Sequence, residues 1–244
     1  MMKKTSIGAW ILTYNPDATD VISKSGFDWV CIDLEHSSLN FTELSVLLNV
    51  LEKNKTESFV RVSSNDKTQI KKALDLGAKG IIVPMVNNAV EAKKAVDCSY
   101  YPPFGSRGLG FARAQGFGFD LNNYLKKSKN TKLIVQIESL EAINNLEKIL
   151  KVKGLSGTFI GPYDLSGSLG QPGNFTNKKY INSILKYEKL SKKYKVPMGI
   201  HVAYPDVISV NKMIRKGYKF IAMGTDMTFL GTICREKLIK IKKK

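Results

Sequence analysis

Cysteine and histidine are scarce in this chain of 244 residues, which has three of the first and two of the second. The cysteines, Cys31, Cys98 and Cys234, lie far apart, form no CxxC pair and are odd in number. This argues against a disulfide framework or a zinc knuckle, and leaves too few soft ligands for an ordinary zinc site. Free thiols are typical of a reducing compartment, so we expect a cytoplasmic protein.

Long apolar runs are also missing. No stretch approaches the roughly 20 residues that a membrane-spanning helix needs. The beginning of the chain, MMKKTSIGAWILTYNPD, has an apolar run too short for the hydrophobic region of a signal peptide. We therefore expect no membrane partner.

Acidic residues are few relative to basic ones: 21 Asp and Glu face 38 Lys and Arg, for a formal charge of +17. The lysines are scattered along the chain, and only the tail REKLIKIKKK is dense. Nucleic-acid sites usually concentrate basic and aromatic residues on one face, so this dispersal argues against nucleic-acid binding. It predicts solvated helix faces and a field that attracts small anions.

What the sequence does have is regular alternation of short apolar runs with helical segments. In FTELSVLLNVLEKN, leucines recur at the spacing of one helix face. The strand-like runs are nearly continuously apolar, as expected for strands buried on both faces. There are eight of them: SIGAWIL, WVCIDLE, SFVRVS, GIIVPMV, KLIVQIE, GTFIG, PMGIHV and KFIAMGTD.

Eight strand–helix units in about 250 residues predict an α/β protein of the (β/α)8 barrel type, with one domain spanning residues 1–244. An open, doubly wound sheet is the competing interpretation. No GxGxxG motif follows the first strand, which weakens the dinucleotide-binding version of that alternative.

Two connections are too long for simple turns, namely residues 100–120 and residues 161–174. Long connections in compact domains are usually functional. We expect both to follow strands, the fourth and the sixth, and to lie at the carboxyl-terminal rim, where barrel enzymes keep their chemistry.

Polar residues cluster at the predicted strand ends. Singly, an Asp there is often a helix N-cap and an Arg a structural ion pair. Together they converge on one opening, where so many charges predict a functional site. The set comprises Asp33, Glu35, His36, Arg61, Gln136, Glu138, Asp164, His201, Thr225 and Asp226.

Glu138 and Asp164 form the best candidate metal pair. Two carboxylates completed by water suit a hard cation such as Mg²⁺ or Mn²⁺. The segment GPYDLSG, starting at Gly161, also offers successive backbone N–H groups that suit a carboxylate or phosphate, although a plain turn is the alternative.

Several segments in order resemble the metal-dependent (class II) pyruvate aldolases. That family includes 2-keto-3-deoxy-sugar-acid aldolases and 4-hydroxy-2-ketoheptanedioate aldolase, and is related to the citrate lyase β-subunit. The resemblance runs from Gly8 to about Leu230. It rests on FDWVCIDLEH, RVSSNDKTQIKKALDLGAKGIIVPMV, YYPPFGSRG, VQIES, GTFIGPYDLSGSLGQPG and AMGTDMTFL.

The resemblance implies roles for the catalytic residues. His36 would be the acid/base group, acting through a water, and Asp75 would pair with it and hold its orientation. Asp33 would be a further polar group near His36. Arg61 would bind the carbonyl oxygen of pyruvate.

The resemblance also implies how substrate and metal are held. Gln136 would contact the same carbonyl oxygen or the metal's waters, and Glu138 and Asp164 would bind Mg²⁺ or Mn²⁺, with Co²⁺ a further candidate. The backbone amides of Tyr163 and Asp164, after Gly161, would hold the pyruvate carboxylate. Relatives often form hexamers that exchange the last helix, so we expect a homo-oligomer, a hexamer or a trimer.

Two positions depart from relatives. His201 stands where some of them have an aliphatic residue in the aldehyde pocket, which points to a polar or anionic aldehyde or to a structural histidine. Tyr163 replaces a small residue there. Arg107, in the first long connection, would either close over substrate or form a loop salt bridge.

The expected function is therefore a divalent-metal lyase that reversibly cleaves a 4-hydroxy-2-keto or 2-keto-3-deoxy acid to pyruvate and an aldehyde. The predicted strand ends carry no lysine for a Schiff base, which argues against the class I route. The alternatives are a related barrel with non-aldol chemistry, either a decarboxylase or a thioester lyase, and a ligand-binding barrel without turnover.

Overall fold

Eight parallel strands close into a barrel in chain order, each hydrogen-bonded to the next and β8 to β1, in a computed structural model that describes residues 4–242. This confirms the predicted (β/α)8 fold. Residues 1–3 and 243–244, which include the last two lysines of the basic tail, lie outside the described residues. That residues 1–244 form one domain therefore stays a prediction. The strands are β1 Ser6–Ile11, β2 Trp29–Asp33, β3 Glu57–Arg61, β4 Gly80–Val83, β5 Lys132–Ile137, β6 Gly157–Ile160, β7 Met198–Val202 and β8 Phe220–Thr225.

Helices return the chain from the end of each strand to the start of the next. Most begin at a side-chain cap; in α2, Asn40 and Glu43 form a reciprocal capping box. The predicted leucine face of α2 is buried. The helices are α1 Pro16–Lys24, α2 Phe41–Lys53, α3 Lys67–Asp75, α4 Ala89–Ser99, α5 Leu121–Ser128, α6 Leu140–Leu150, α7 Pro162–Ser168, α8 Lys178–Tyr194, α9 Val207–Lys216 and α10 Asp226–Lys242.

The inside of the barrel is filled by aromatic rings that lie over glycines of neighbouring strands. Gly8 is in register with Trp29, and a Cβ on Gly8 would stand 2.1 Å from the Trp29 ring. Gly80 makes the same room for Phe59, at 2.2 Å. Trp29 also stacks on Phe220, with ring centroids 3.8 Å apart. The interior is therefore a packed core, and any ligand cavity must lie above it, at a rim.

The first long connection is not at the carboxyl-terminal rim, so that prediction is wrong. Residues 100–120 follow helix α4 rather than strand β4, and they lead through a 3₁₀ helix at Arg113–Gly118 and α5 into β5. Since helices run back toward the strand starts, this segment lies at the amino-terminal rim. The second, residues 161–174, does follow β6 and lies at the carboxyl-terminal rim, as predicted.

The last helix, α10, leaves a series of apolar side chains exposed along its length: Met227, Leu230, Ile233, Leu238, Ile239 and Ile241. The expected use of this helix in oligomer packing stays a prediction. Among residues 4–242 no helix is both long and apolar enough to cross a bilayer.

Candidate active site

A cavity of about 300 Å³ opens at the carboxyl ends of the strands. Of the ten residues to which a catalytic, substrate-binding or metal-binding role was predicted, eight line it, because the ends of parallel strands meet at this rim. They are Asp33, His36, Arg61, Gln136, Gly161, Tyr163, Asp164 and His201. The other two do not line it. Glu138 accepts a hydrogen bond from Gln136, and Asp75 lies at the end of α3, at the opposite rim.

Arg61 is held rigidly at the centre of this rim. It is the register partner of Asp33 on the neighbouring strand. Its Nε donates to Asp33 Oδ1 at 2.8 Å and its Nη2 to Asp33 Oδ2 at 2.6 Å, while Nη1 lies 2.9 Å from Glu35 Oε2. Burial opposes its charge, but the hydrogen bond to Asp33 raises the pKa of the guanidinium. Glu35 Oε2 has no hydrogen-bond partner, so Nη1 meets it only as an ion pair, and Asp33 takes two of the five N–H groups of the arginine.

Glu35 is a site residue to which the sequence assigned no role. Its carboxylate contacts Arg61 and also lies 3.8 Å from the Nε2 of His36, whose own side chain is 60% exposed at the mouth of the cavity. The sequence feature that could have identified Glu35 as a site residue is its position two residues after Asp33, at the end of the same strand. Asp33 itself bonds Arg61 and the Glu35 N–H rather than His36.

Within one chain Asp75 does not meet His36, and their predicted pairing stays a prediction. Helix α3 starts at the carboxyl-terminal rim and ends at Asp75, which places Asp75 at the opposite rim from His36. There its carboxylate accepts a 2.6 Å hydrogen bond from Arg107, which also donates to Tyr124 at 3.0 Å. Arg107 is therefore a structural ion-pair partner, and the alternative that it closes over substrate is wrong for this chain.

Glu138, just beyond β5, is fixed by two donors. Its Oε1 accepts from the backbone N–H of Met85 at 2.6 Å and its Oε2 from Gln136 Nε2 at 2.7 Å. A Cβ on Gly161 would stand 2.6 Å from the same Oε2, so glycine is required for this close approach. With its Nε2 engaged, Gln136 presents its buried Oε1, which no described group satisfies. An acceptor of this kind suits a water or a hydroxyl rather than a keto oxygen.

Negative charge is in excess here. Burial raises the pKa of Glu138 to about 7, helped by the charges of Glu35 and Asp164 and opposed by the Met85 N–H. Burial likewise raises the pKa of Glu35 to about 7; Arg61 opposes this, and Asp33 and Asp164 add to it. The carboxylates therefore repel one another, and among the described residues that line the cavity Arg61 is the one Lys or Arg that offsets them.

This donor set fits a hard divalent cation better than zinc. Oxygen ligands and uncompensated negative charge are what Mg²⁺ requires. In residues 4–242 no three His, Cys, Asp or Glu side chains gather as a metal site. Two protein carboxylates, Glu138 and Asp164, would thus leave most of the coordination to water or substrate, as is usual for Mg²⁺.

Beyond the metal pair, helix α7 presents its first turn to the cavity. Gly161 is its N-cap residue, and no side chain caps the helix. The first N–H groups of a helix have no partner within it, so those of Tyr163 and Asp164 are available to an anion. The Tyr163 ring stands at the mouth, 52% exposed and edge-on to Phe175.

His201 and Asp226 have different surroundings. The His201 ring stacks on Trp10, with centroids 5.0 Å apart and planes at 8°. Burial and the charge of Arg61 lower the pKa of His201 to about 4, although a backbone carbonyl opposes this. The Asp226 carboxylate accepts hydrogen bonds from Leu12 and Thr13, so it holds the β1–α1 loop.

Comparison with known proteins gives one family. The family description "HpcH/HpaI aldolase/citrate lyase" matches residues 6–231. A 2-dehydro-3,6-dideoxy-6-sulfogluconate aldolase of Pseudomonas putida is 32% identical over 245 residues, covering 99% of this chain and 95% of that protein. A 4-hydroxy-2-oxo-heptane-1,7-dioate aldolase of Escherichia coli is 36% identical over 230 residues, covering 93% and 87%.

Solved structures agree. A crystal structure of an HpcH/HpaI aldolase/citrate lyase family protein from Burkholderia cenocepacia J2315 has a TM-score of 0.93 and 26% identity, covering 98% of this chain and 95% of that one. Protein CitE from Mycobacterium tuberculosis, in complex with magnesium and acetoacetate, has a TM-score of 0.60 and 10% identity, covering 93% and 88%. At that identity the second likeness shows the fold alone.

Proposed function

The chain belongs to the HpcH/HpaI aldolase/citrate lyase family, and from that premise we propose that it is a divalent-metal-dependent aldolase. Its substrate would be a 4-hydroxy-2-keto acid or a 2-keto-3-deoxy acid, cleaved reversibly to pyruvate and an aldehyde. The observation that carries this proposal is the rigid Arg61 beside an excess of carboxylates on one cavity.

The reaction breaks the bond between C3 and C4 of the substrate. The C4 hydroxyl loses its proton to a base and becomes the aldehyde carbonyl, while the electron pair of the broken bond forms the enolate of pyruvate. A proton then returns to C3 and gives the methyl group. The site must therefore stabilise negative charge at the keto oxygen and move one proton.

Arg61 supplies the first requirement. N–H groups that Asp33 does not engage would donate to the keto oxygen, where charge develops as the bond breaks. Asp33 and Glu35 hold the guanidinium in place beforehand, so no reorganisation is needed during the reaction. Asp33 thus acts by positioning Arg61.

Glu138 and Asp164 would hold the cation, and Mg²⁺ is the first candidate, with Mn²⁺ and Co²⁺ to be compared. When bound, such an ion acts as a Lewis acid on the keto acid. Gln136 would accept from a water or hydroxyl through its unpartnered Oε1. The N–H groups of Tyr163 and Asp164 would bind the substrate carboxylate, which the turn at Gly161 leaves accessible.

His36 would carry the proton, through a water, at the mouth of the cavity. Within one chain, Glu35, 3.8 Å from its Nε2, would help to orient the ring. Among the described residues that line the cavity there is no lysine, in keeping with a route that needs no Schiff base.

A lactate-dehydrogenase-coupled assay tests the proposal directly. Purified protein is offered a panel of 4-hydroxy-2-keto and 2-keto-3-deoxy acids with and without Mg²⁺ or Mn²⁺. We expect pyruvate release that stops in EDTA and returns when the metal is added back. Undiminished release in EDTA would reject the metal role, and release of CO₂ from oxaloacetate without any aldolase activity would favour the decarboxylase alternative.

A further inference from the structure

The cavity lining divides between two arcs of the barrel wall. The arc from β2 to β6 contributes the charged and amide groups, including Arg61, Gln136 and Asp164. The contiguous arc β7–β8–β1 contributes uncharged side chains at the cavity: Trp10, Leu12, His201, Ala203 and Thr225. If the proposed function holds, the keto acid occupies the charged arc, and the aldehyde portion of the substrate extends over the uncharged one.

Within the uncharged arc, His201 has an unused acceptor. Its Nε2 lies 3.4 Å from the carbonyl oxygen of Gly224. A carbonyl can only accept, so Nε2 carries the hydrogen and the lone pair is on Nδ1. No described group bonds Nδ1, and stacking on Trp10 keeps the ring in place. The hydroxyl of Thr225, in contrast, already accepts from the Thr228 N–H at 3.0 Å.

The uncharged arc has no cation for an anionic aldehyde. Arg61 is engaged by Asp33 and Glu35 and faces the keto acid. The low pKa of His201, about 4, leaves its imidazole neutral at neutral pH. A second carboxylate or a phosphate at this end would lose its water without gaining a counter-charge, which is costly.

We propose that the aldehyde is an uncharged hydroxyaldehyde whose hydroxyl donates a hydrogen bond to His201 Nδ1. His201 is then the specificity-determining residue of the reaction. The substrate it selects is a 2-keto-3-deoxy acid with a hydroxyl beyond the cleaved bond, rather than a dicarboxylate. The sequence left two alternatives at His201, a polar aldehyde or an anionic one. The proposal selects the polar, uncharged aldehyde.

Three small aldehydes test this in the condensation direction with pyruvate and Mg²⁺. Glycolaldehyde has the hydroxyl, propanal replaces it by a methyl group of similar size, and glyoxylate carries a negative charge. We expect a kcat/KM for glycolaldehyde about tenfold above that for propanal, as for one net hydrogen bond. Glyoxylate should be used less well than glycolaldehyde.

The variant His201→Leu should bring the glycolaldehyde-to-propanal ratio close to one. Tyr204→Phe, an exposed residue on the loop after β7, is the matched control and should keep the wild-type ratio. If the leucine variant does not fold, His201→Phe removes the acceptor while keeping an aromatic ring over Trp10.

Equal use of glycolaldehyde and propanal by the wild type would overturn the inference, as would a preference for glyoxylate. An equal loss for both neutral aldehydes in the His201 variants would also overturn it. Exchange of pyruvate methyl protons with D₂O, measured on the wild type, separates this from the proposed function. Exchange without discrimination among aldehydes rejects only the hydroxyaldehyde inference, while no exchange and no product rejects the aldolase function and the inference with it.

Discussion

Replacing Glu138 by Gln should make the metal-free protein more stable at pH 8. Burial and neighbouring carboxylates raise the pKa of Glu138 from its ordinary 4.5 to about 7. One pKa unit corresponds to about 1.4 kcal/mol, so the ionised form costs the folded state roughly 3 kcal/mol. Glutamine removes the charge and can still accept from the Met85 N–H, and Gln136 can turn its amide to present oxygen.

The sign of the pH dependence follows from proton binding. Between about pH 4.5 and 7 the folded state keeps a proton on Glu138 that the unfolded chain has lost. The free energy of unfolding therefore falls as the pH rises through this window, and the full cost is present above it. The stability difference between the Gln variant and the wild type should be small at pH 4.5 and largest at pH 8.

Thermal unfolding followed by circular dichroism measures both effects. For a chain of this size 1 kcal/mol shifts Tm by about 2–4 °C, so we expect a Tm about 6–12 °C higher for Glu138→Gln at pH 8 without metal. The control, Glu141→Gln, removes an exposed charge in the first turn of α6 and should change stability by less than about 1 kcal/mol.

Added Mg²⁺ should invert the ranking. A ligand at 1,000 times its Kd stabilises the folded state by about 4.1 kcal/mol, which exceeds the roughly 3 kcal/mol cost of the ionised Glu138, and the wild type should gain this at pH 8. The gain should shrink at pH 6, since a proton on Glu138 competes with the ion. The reasoning fails if Glu138→Gln is no more stable than the wild type without metal, or if it gains as much from Mg²⁺.

Three further predictions concern activity and metal binding. Arg61→Ala should lower kcat/KM for keto acid cleavage by about 10²–10³, measured as pyruvate release, because it removes donors aimed at the developing charge; turnover like that of the wild type would exclude this role. Gly161→Ala should weaken Mg²⁺ binding in calorimetry, since its Cβ would stand 2.6 Å from Glu138 Oε2, whereas Gly167→Ala in the same helix meets nothing within 4 Å and should bind normally. EDTA should abolish pyruvate release and excess Mg²⁺ should restore it; partial activity in metal-free protein would show that Arg61 alone suffices.

The barrel could be predicted because each strand is a short, nearly continuous apolar run. Such runs leave little choice but a sheet buried on both faces, and their number matches a closed barrel. The polar residues after the strands could then be placed together without any long-range information. Seven of the ten polar strand-end residues do line one cavity.

The direction of a helix decides where residues 100–120 and Asp75 lie. The prediction places residues 100–120 directly after the fourth strand, whereas α4, AVEAKKAVDCS, lies between them and carries the chain back to the other rim. Asp75 lies at the end of α3, so within one chain it is at the opposite rim from His36. The ion pair of Asp75 with Arg107 then follows from the topology, but no local pattern signals it.

The ionisation of the site could not be predicted from the sequence, because it depends on distances across the barrel mouth. Glu35, Glu138 and Asp164 lie 26 to 129 residues apart along the chain, and their repulsion appears only when β2, β5 and β6 converge. The same is true of the neutral His201, whose pKa is lowered by enclosure and by Arg61.

The whole chain is positively charged, whereas its cavity is negatively charged. The two charges therefore act on an anionic substrate in opposite ways, at long range and at contact. A formal charge of +17 draws anionic keto acids toward the protein from a distance, and salt weakens such attraction. At contact, the carboxylates of Glu35, Glu138 and Asp164 repel the same anions unless a cation lies between them. Under the proposed function, metal therefore binds before or together with the keto acid, and the wide spacing of the lysines lets the outer field coexist with a negative cavity.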